Sequence, residues 1–491
     1  MRSEYVRDVT KNSRCSGSRP RRRTVKIFHN QKVEILASGA QGLAAAAFVL
    51  AFPALIRAQD TRTVVEPAIP PACATLTAQI GRAGVSISPE DETRLDTARI
   101  QKALDQCAPG HAVVLKRASA RTDAFLTGPL ELRKGVVLAI DRGTWLYGSR
   151  NARDYDRSIG SCGTVTEQGH GCKGLINGEG VSDSGIMGDG VIDGRGGETI
   201  LGQTSTWWNL ADLARRGGGQ NNPRLVVLNR CDNFILYRIT LMNSPNFHVG
   251  YENGNGFTAW GVRIWCPERA RNTDGIDPGN STNVTITHCY LHTGDDQVAI
   301  KAPAGAPTTH MSITHNHFYS GHGMSIGSTT DGGAGNILVS DLTIDGADNG
   351  LRIKSNITRG GLVHDVVFED VCIRDTENPI LMDTSYSAGA SNASGRIPMF
   401  RDITVRNTWV EGAGKVTLEG YDATHRLGIQ FDNVQFEEPG RIKVAAKNAD
   451  IKIGPGAFNL KIEGPAVTVT GSAGRSTHDA CGRRFVDFPL K

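Results

Sequence analysis

The sequence predicts an all-β chain wound into a solenoid of stacked parallel coils, with one short helix capping its start. Three observations predict it. The first is composition: 58 glycines, only 6% aromatic residues and short runs of Val, Ile, Thr and Asn favour many brief strands joined by turns. The second is a repeat, because "SPNFHV" at Ser244, "NTDGID" at Asn272, "GDDQVAIK" at Gly294, "GHGMSIGS" at Gly321, "DNGLRIKS" at Asp348 and "TENPILMD" at Thr376 recur every 22 to 28 residues. Each follows a β-branched run such as "NVTITHCYLH", and a period of that length without a long helix marks a solenoid. The third is the scarcity of two-residue hairpins between the runs, which disfavours a β-sandwich.

Taken in order, residues 1–58 read as an export leader. They hold 11 Lys+Arg against 3 Asp+Glu, and the apolar run ending near Ala58 is too short for a comfortable membrane span. Arg22-Arg23 matches a twin-arginine signal loosely; an over-extended start and a membrane-anchoring segment are the alternatives. Residues 59–120 form a cap region, where Ile100, Ala103, Leu104 and Cys107 fall at i, i+3, i+4 and i+7 of one amphipathic helix. Such a helix shields the open end of a coil stack from edge pairing. Residues 121–491 form the solenoid.

Without the leader, 43 basic residues face 47 acidic ones, so no global field attracts nucleic acid. Nine cysteines remain once Cys15 goes with the leader, an odd number that leaves at least one unpaired. Cys73 with Cys107, and Cys162 with Cys172 across the loop "CGTVTEQGHGC", are candidate disulfides of an oxidising compartment. Cys231, Cys266, Cys289 and Cys372 lie in strand-like runs and read at least as well as buried apolar residues. No CxxC or His-rich spacing suggests a metal.

Stacking brings distant residues together. With coils one strand spacing apart, about 4.8 Å, Asp274 falls one coil below Asp296, Asp295 is its neighbour and His322 lies one coil above. Crowded carboxylates raise the pKa of at least one of them, placing a proton donor beside ionised partners. That suits glycosidic hydrolysis, with inversion expected if the carboxyl separation falls in the class of roughly 6.5 to 9.5 Å. In "LRIKS", Arg352 and Lys354 share one strand face and look toward the same cleft, implying an acidic sugar. Asp277 reads as a turn cap, while His248, one coil below, is a candidate substrate contact or a core histidine. Asn229, Asn243 and Asn246 read as corner residues that satisfy backbone groups.

The motifs "NTD", "GDD", "GHG" and "RIK", in that order over residues 272–354, resemble the signature of the polygalacturonases, glycoside hydrolase family 28. The resemblance implies a single-stranded right-handed parallel β-helix that hydrolyses α-1,4-linked galacturonic acid with inversion. It makes Asp295 the general acid, Asp274 and Asp296 the pair that activates water, and His322 the residue that holds or tunes the acid. It assigns Arg352, Lys354, Tyr386 and Asn272 to substrate binding. Gln297 stands where many fungal members have a cysteine, so fungal disulfide pairings do not transfer. The expected protein is therefore secreted, extracellular or periplasmic, and acts on polygalacturonate (pectin). It is expected to be a monomer with no cofactor, no metal, no nucleic-acid partner and no membrane contact after processing. Endo action is favoured; exo action, a rhamnogalacturonan hydrolase, a pectate lyase and a non-catalytic β-helix adhesin are the alternatives. Two insertions, 160–174 and 211–219, are placed to close one end of the cleft.

Overall fold

A computed structural model describes residues 59–387, 395–476 and 481–489, and the leader assigned to residues 1–58 lies outside them. Parallel strands stack in two large sheets, one of 21 strands and one of 11, giving an all-β parallel β-helix. The smaller sheet carries the site and contains β1 (Leu130–Glu131), β2 (Ile176–Glu179), β3 (Val226–Asn229), β4 (Val249–Glu252), β5 (Ile276–Gly279) and β6 (Val298–Ile300). It continues through β7 (Met324–Gly327), β8 (Asn349–Lys354), β9 (Asn378–Asp383), β10 (Gly414–Glu419) and β11 (Ile442–Lys447).

Register explains why the repeat is apolar at one position. Val226, Val249, Ile276, Val298, Met324, Leu351 and Ile380 are successive partners across β3 to β9, and all seven are fully buried. On the larger sheet, Val284, Met311, Ile337 and Val366 form the facing column, also fully buried. Since strand side chains alternate, the residue after each inward one points outward, and one face of the smaller sheet becomes a surface for chemistry. Coil corners use Asn in the left-handed region that this residue tolerates, as at Asn243 and Asn272 with φ of 48° and 57°. Corner amides also stack, with Asn253 Nδ2 donating to Asn229 Oδ1 at 2.8 Å.

The helix α1 (Thr97–Gln106) forms where the periodicity places it, with Ile100 and Leu104 buried and Gln101 hydrogen-bonded to the backbone of Glu131. Parallel pairing begins earlier than residue 121: strand Ala72–Thr77 pairs with His111–Lys116, which pairs with Val136–Ile140. A second helix, α2 (Trp207–Ala214), opens on a capping box between Thr206 and Asn209.

Disulfides Cys73–Cys107 and Cys162–Cys172 form as expected, and Cys231, Cys266 and Cys289 are buried free thiols. Cys372 departs from its expected apolar role by bonding Cys481. Its strand neighbours are Thr343 and Trp409, on the outward-facing set, and the C-terminal tail crosses that face. Arg484 Nη2 meets Asp341 Oδ1 at 2.5 Å, Tyr319 Oη donates to the Val486 carbonyl at 2.8 Å, and Arg374 lies over the Phe485 ring.

Candidate active site

The site is a product of register. Ile276 pairs with Val298, which carries Asp274 opposite Asp296 on the coil above, and the Gly275 N–H donates to the Asp296 carbonyl at 2.9 Å. Gly275 permits this approach, since a Cβ there would collide with the Gln297 carbonyl oxygen. Val298 pairs with Met324, so the next turn returns His322 to the same place, where its N–H donates to the Asp295 carbonyl at 3.0 Å. The buried amide of Gln297 fixes that turn by donating to the Tyr319 carbonyl at 2.9 Å and accepting from the Gly323 N–H at 2.6 Å.

One oxygen from each of Asp274, Asp295 and Asp296 lies within 4.8 Å of the other two. Adjacent coils stand about 4.8 Å apart, which lets carboxylates from two coils approach this closely. The three oxygens are close enough to share a cation, but two of the carboxylates already hold protein cations. Lys301 Nζ donates to Asp274 Oδ2 at 3.2 Å and also pairs with Asp277. Asp296 receives Arg352 Nη2 at 3.0 Å, Lys354 Nζ at 2.8 Å and Ser325 Oγ at 2.8 Å. Asp295 lacks such a partner: Asn272 Nδ2 is 3.5 Å from its Oδ2 and His322 Nε2 is 3.9 Å from its Oδ1.

Those contacts divide the electrostatics. Burial, reinforced by the negative charges of Asp274 and Asp296, pushes the Asp295 carboxyl up to about 7. Burial also raises Asp274, and the Lys301 ammonium opposes that rise. Asp277 is held well above the usual carboxylate range by burial and by the charge of Asp274. The side chain of Asp295 is 18% exposed, against 5% for Asp274 and 3% for Asp296, so a carboxyl that burial and its neighbours push upward is also the one of the three that faces solvent. Such a set can donate a proton from one carboxyl while its neighbours order a water molecule.

The structure gathers Asp274, Asp295, Asp296, His322, Asn272, Arg352 and Lys354 into one patch, with the Tyr386 ring 5.8 Å from the Arg352 guanidinium and 5.2 Å from Lys354 Nζ. His322 Nδ1 lies 2.9 Å from Asp348 Oδ2, out of hydrogen-bond alignment. Arg352 and Lys354 point into the cleft as expected but are almost wholly buried against Asp296. His248 is fully buried, with Nδ1 at 3.1 Å from the Asp274 carbonyl and Nε2 accepting from the Ser244 N–H, so it offers no surface to a substrate. Burial pushes its ring down to about 4, which keeps it neutral.

Asp277 is not a turn cap. "DPG" reads as a turn signal, yet Ile276–Gly279 pairs in the ladder and buries this carboxylate under Lys301. Sequence reasoning did not single out Lys301. The period-two alternation of "VAIK" places it on the outward face with Ala299, the register partner of Ser325, and that signal was available.

A family model for glycosyl hydrolases family 28 matches residues 157–459. A polygalacturonase of Ralstonia nicotianae is 40% identical over 496 aligned residues, covering 87% of this chain and 92% of the relative. An endo-polygalacturonase of Pectobacterium parmentieri is 42% identical, with 82% and 95% covered. Among solved structures, the polygalacturonase from Erwinia carotovora ssp. carotovora superimposes with a TM-score of 0.69 at 38% identity, over 86% of this chain and 99% of that one.

Proposed function

The chain belongs to glycosyl hydrolases family 28 and is a glycoside hydrolase acting on polygalacturonate, and from that premise we propose that it cleaves α-1,4 linkages within the polymer by inverting acid/base hydrolysis. The observation that carries the proposal is the division of cations: Lys301 pairs with Asp274, and Arg352 and Lys354 pair with Asp296, whereas among the described residues Asp295 meets only the His322 imidazole, at 3.9 Å. Asp295 then holds the proton and gives it to the leaving glycosidic oxygen. Asp274 and Asp296, held by Lys301, Arg352 and Lys354, orient the water that attacks the anomeric carbon. Inversion follows from the family's reaction and from the pinning of both base candidates. A buried, salt-bridged carboxylate is poorly placed to form a covalent bond with the sugar, so the carboxyl separation does not carry this assignment.

His322, beside the Asp295 carboxyl, holds the acid in place. Tyr386 and the free donors of Arg352 and Lys354, with Asn272, line the position of a sugar carboxylate. Endo action is supported by the 42% identity to an endo-polygalacturonase. Export to the periplasm or exterior is supported by three disulfides among the described residues.

The test is Asp295→Asn assayed on polygalacturonate. Loss of general acid catalysis lowers kcat by about 10²- to 10⁴-fold with the circular dichroism spectrum retained. The wild type releases new reducing ends without the ultraviolet absorbance of an unsaturated uronide. Appearance of that absorbance, or loss of activity with chelator, would replace hydrolysis by elimination.

A further inference from the structure

Two turns carry Asp295, Asp296 and His322, and each begins at an outward-facing aromatic side chain of the larger sheet. Strand Tyr290–His292 leads through Thr293 and Gly294 to Asp295, and strand Thr308–Tyr319 leads through Ser320 and Gly321 to His322. Leu291 and Phe318 are fully buried, so the alternation turns His292 and Tyr319 outward. These two residues are register partners, one coil apart. The turns are also tied to each other and to the strand ends. Ser320 Oγ donates to the Thr293 carbonyl at 3.3 Å, Thr293 Oγ1 to the Asp295 carbonyl at 2.6 Å, and the Gln297 amide to the Tyr319 carbonyl at 2.9 Å. A shift at either ring therefore reaches Asp295 through a few hydrogen-bonded residues.

Both rings meet the same residue of the C-terminal tail. Phe488 packs edge-on against His292 with centroids 6.2 Å apart and edge-on against Tyr319 at 5.4 Å, the arrangement in which aromatic pairs attract. Tyr319 Oη donates to the Val486 carbonyl at 2.8 Å, so tail backbone and tail ring hold one side chain together. The start of the tail is anchored elsewhere. Cys481 is bonded to Cys372, Arg484 Nη2 donates to the Asp370 carbonyl at 2.7 Å, and the Arg374 guanidinium lies 4.2 Å from the Phe485 ring centroid. All three anchors stand on strand Leu362–Arg374, two coils beyond Thr308–Tyr319. The tail thus spans from a distant coil to the two strand ends that lead into the site.

We propose that Phe488 is a positioning residue of the hydrolytic reaction: it holds His292 and Tyr319, and through them sets where Asp295 stands relative to Asp274, Asp296 and His322. The proposal rests on the reading of Asp295 as the general acid. Proton transfer requires that acid within hydrogen-bond reach of the leaving oxygen, and a misplacement of about 1 Å caused far from the chemistry lowers rates by as much as about 10²-fold. Arg352 and Lys354 stand on β8, outside both turns, so the effect falls on kcat and spares KM.

The test is Phe488→Ala, assayed on polygalacturonate at a temperature where circular dichroism shows every variant folded. Its kcat falls about tenfold with KM within about twofold of wild type, and Phe488→Tyr, which keeps the ring, brings kcat back to within about twofold. In the Asp295→Asn background the alanine substitution lowers the residual kcat by less than about twofold, because the group that it positions is gone. A general loss of folded enzyme lowers both backgrounds by the same factor. Equal losses in the two backgrounds would therefore overturn the proposal, as would a Phe488→Ala kcat within about twofold of wild type. Failure of the acid assignment is read separately, as an Asp295→Asn parent that keeps wild-type kcat whatever stands at position 488.

Discussion

Asp295 differs from its two neighbours in what touches it. Lys301 pairs with Asp274, and Arg352 and Lys354 pair with Asp296, whereas Asp295 feels two negative charges and a desolvated setting. With its carboxyl near 7, the acid is present at mildly acidic pH and lost as pH rises through neutrality, so kcat/KM falls above about pH 7. A rate profile that peaks in alkali would contradict this. Stability follows the same sign. The folded-state value lies above the roughly 3.9 of an unfolded aspartate, so folding favours the protonated form and that stability drains as pH rises from about 4 to 7. Asp295→Asn therefore raises the thermal midpoint relative to wild type, with the gain growing across that window. Lys301 is the opposite case, one ammonium shared by two buried carboxylates. Lys301→Met leaves both uncompensated, costing about 3–5 kcal/mol in denaturant unfolding. Because Asp274 then ionises only at higher pH, the acid limb of the rate profile moves upward.

At the scale of elements, the coils support one another through pairing, and the tail adds a strap from outside. Cys372–Cys481 closes 109 residues of sequence separation, and Arg484, Val486 and Phe488 reach back to Asp341, Tyr319 and His292. By loop length, Cys481→Ser costs about 2–5 kcal/mol, read as a lower midpoint in denaturant. An unchanged midpoint would mean that the tail contacts hold without the bond. The sequence made some of these elements readable and hid others. The helix α1 is legible because Ile100 and Leu104 show the helical period in isolation. The period of α2 is equally regular at Trp207, Leu210, Ala211 and Ala214, but it runs into the insertion at 211–219 and is masked by the glycines that follow. The Cys372 pairing is not legible, since nothing local to a strand reports that a tail far along the chain will cross its outer face.

For the whole molecule, the constant coil spacing turns sequence period into spatial proximity, and this is why Asp274, Asp296 and His322 could be placed together from their intervals alone. The partners of these residues were harder to read. Arg352 and Lys354 were placed on the correct face, yet the sequence did not reveal that Asp296 would absorb both, because one residue's reach across two coils depends on rotamers and not on period. The same limitation misassigned Asp277, whose burial comes from Lys301 one coil above. The proposed endo action predicts that early digests of polygalacturonate contain mixed oligomers; immediate monomer or dimer as sole product would mean exo action. The most direct measurement of the central claim is proton NMR of the reducing ends in the first moments of hydrolysis. Water placed by Asp274 and Asp296 opposite a proton from Asp295 releases the β-anomer first, with the α-anomer appearing only by mutarotation. Initial release of the α-anomer would contradict it.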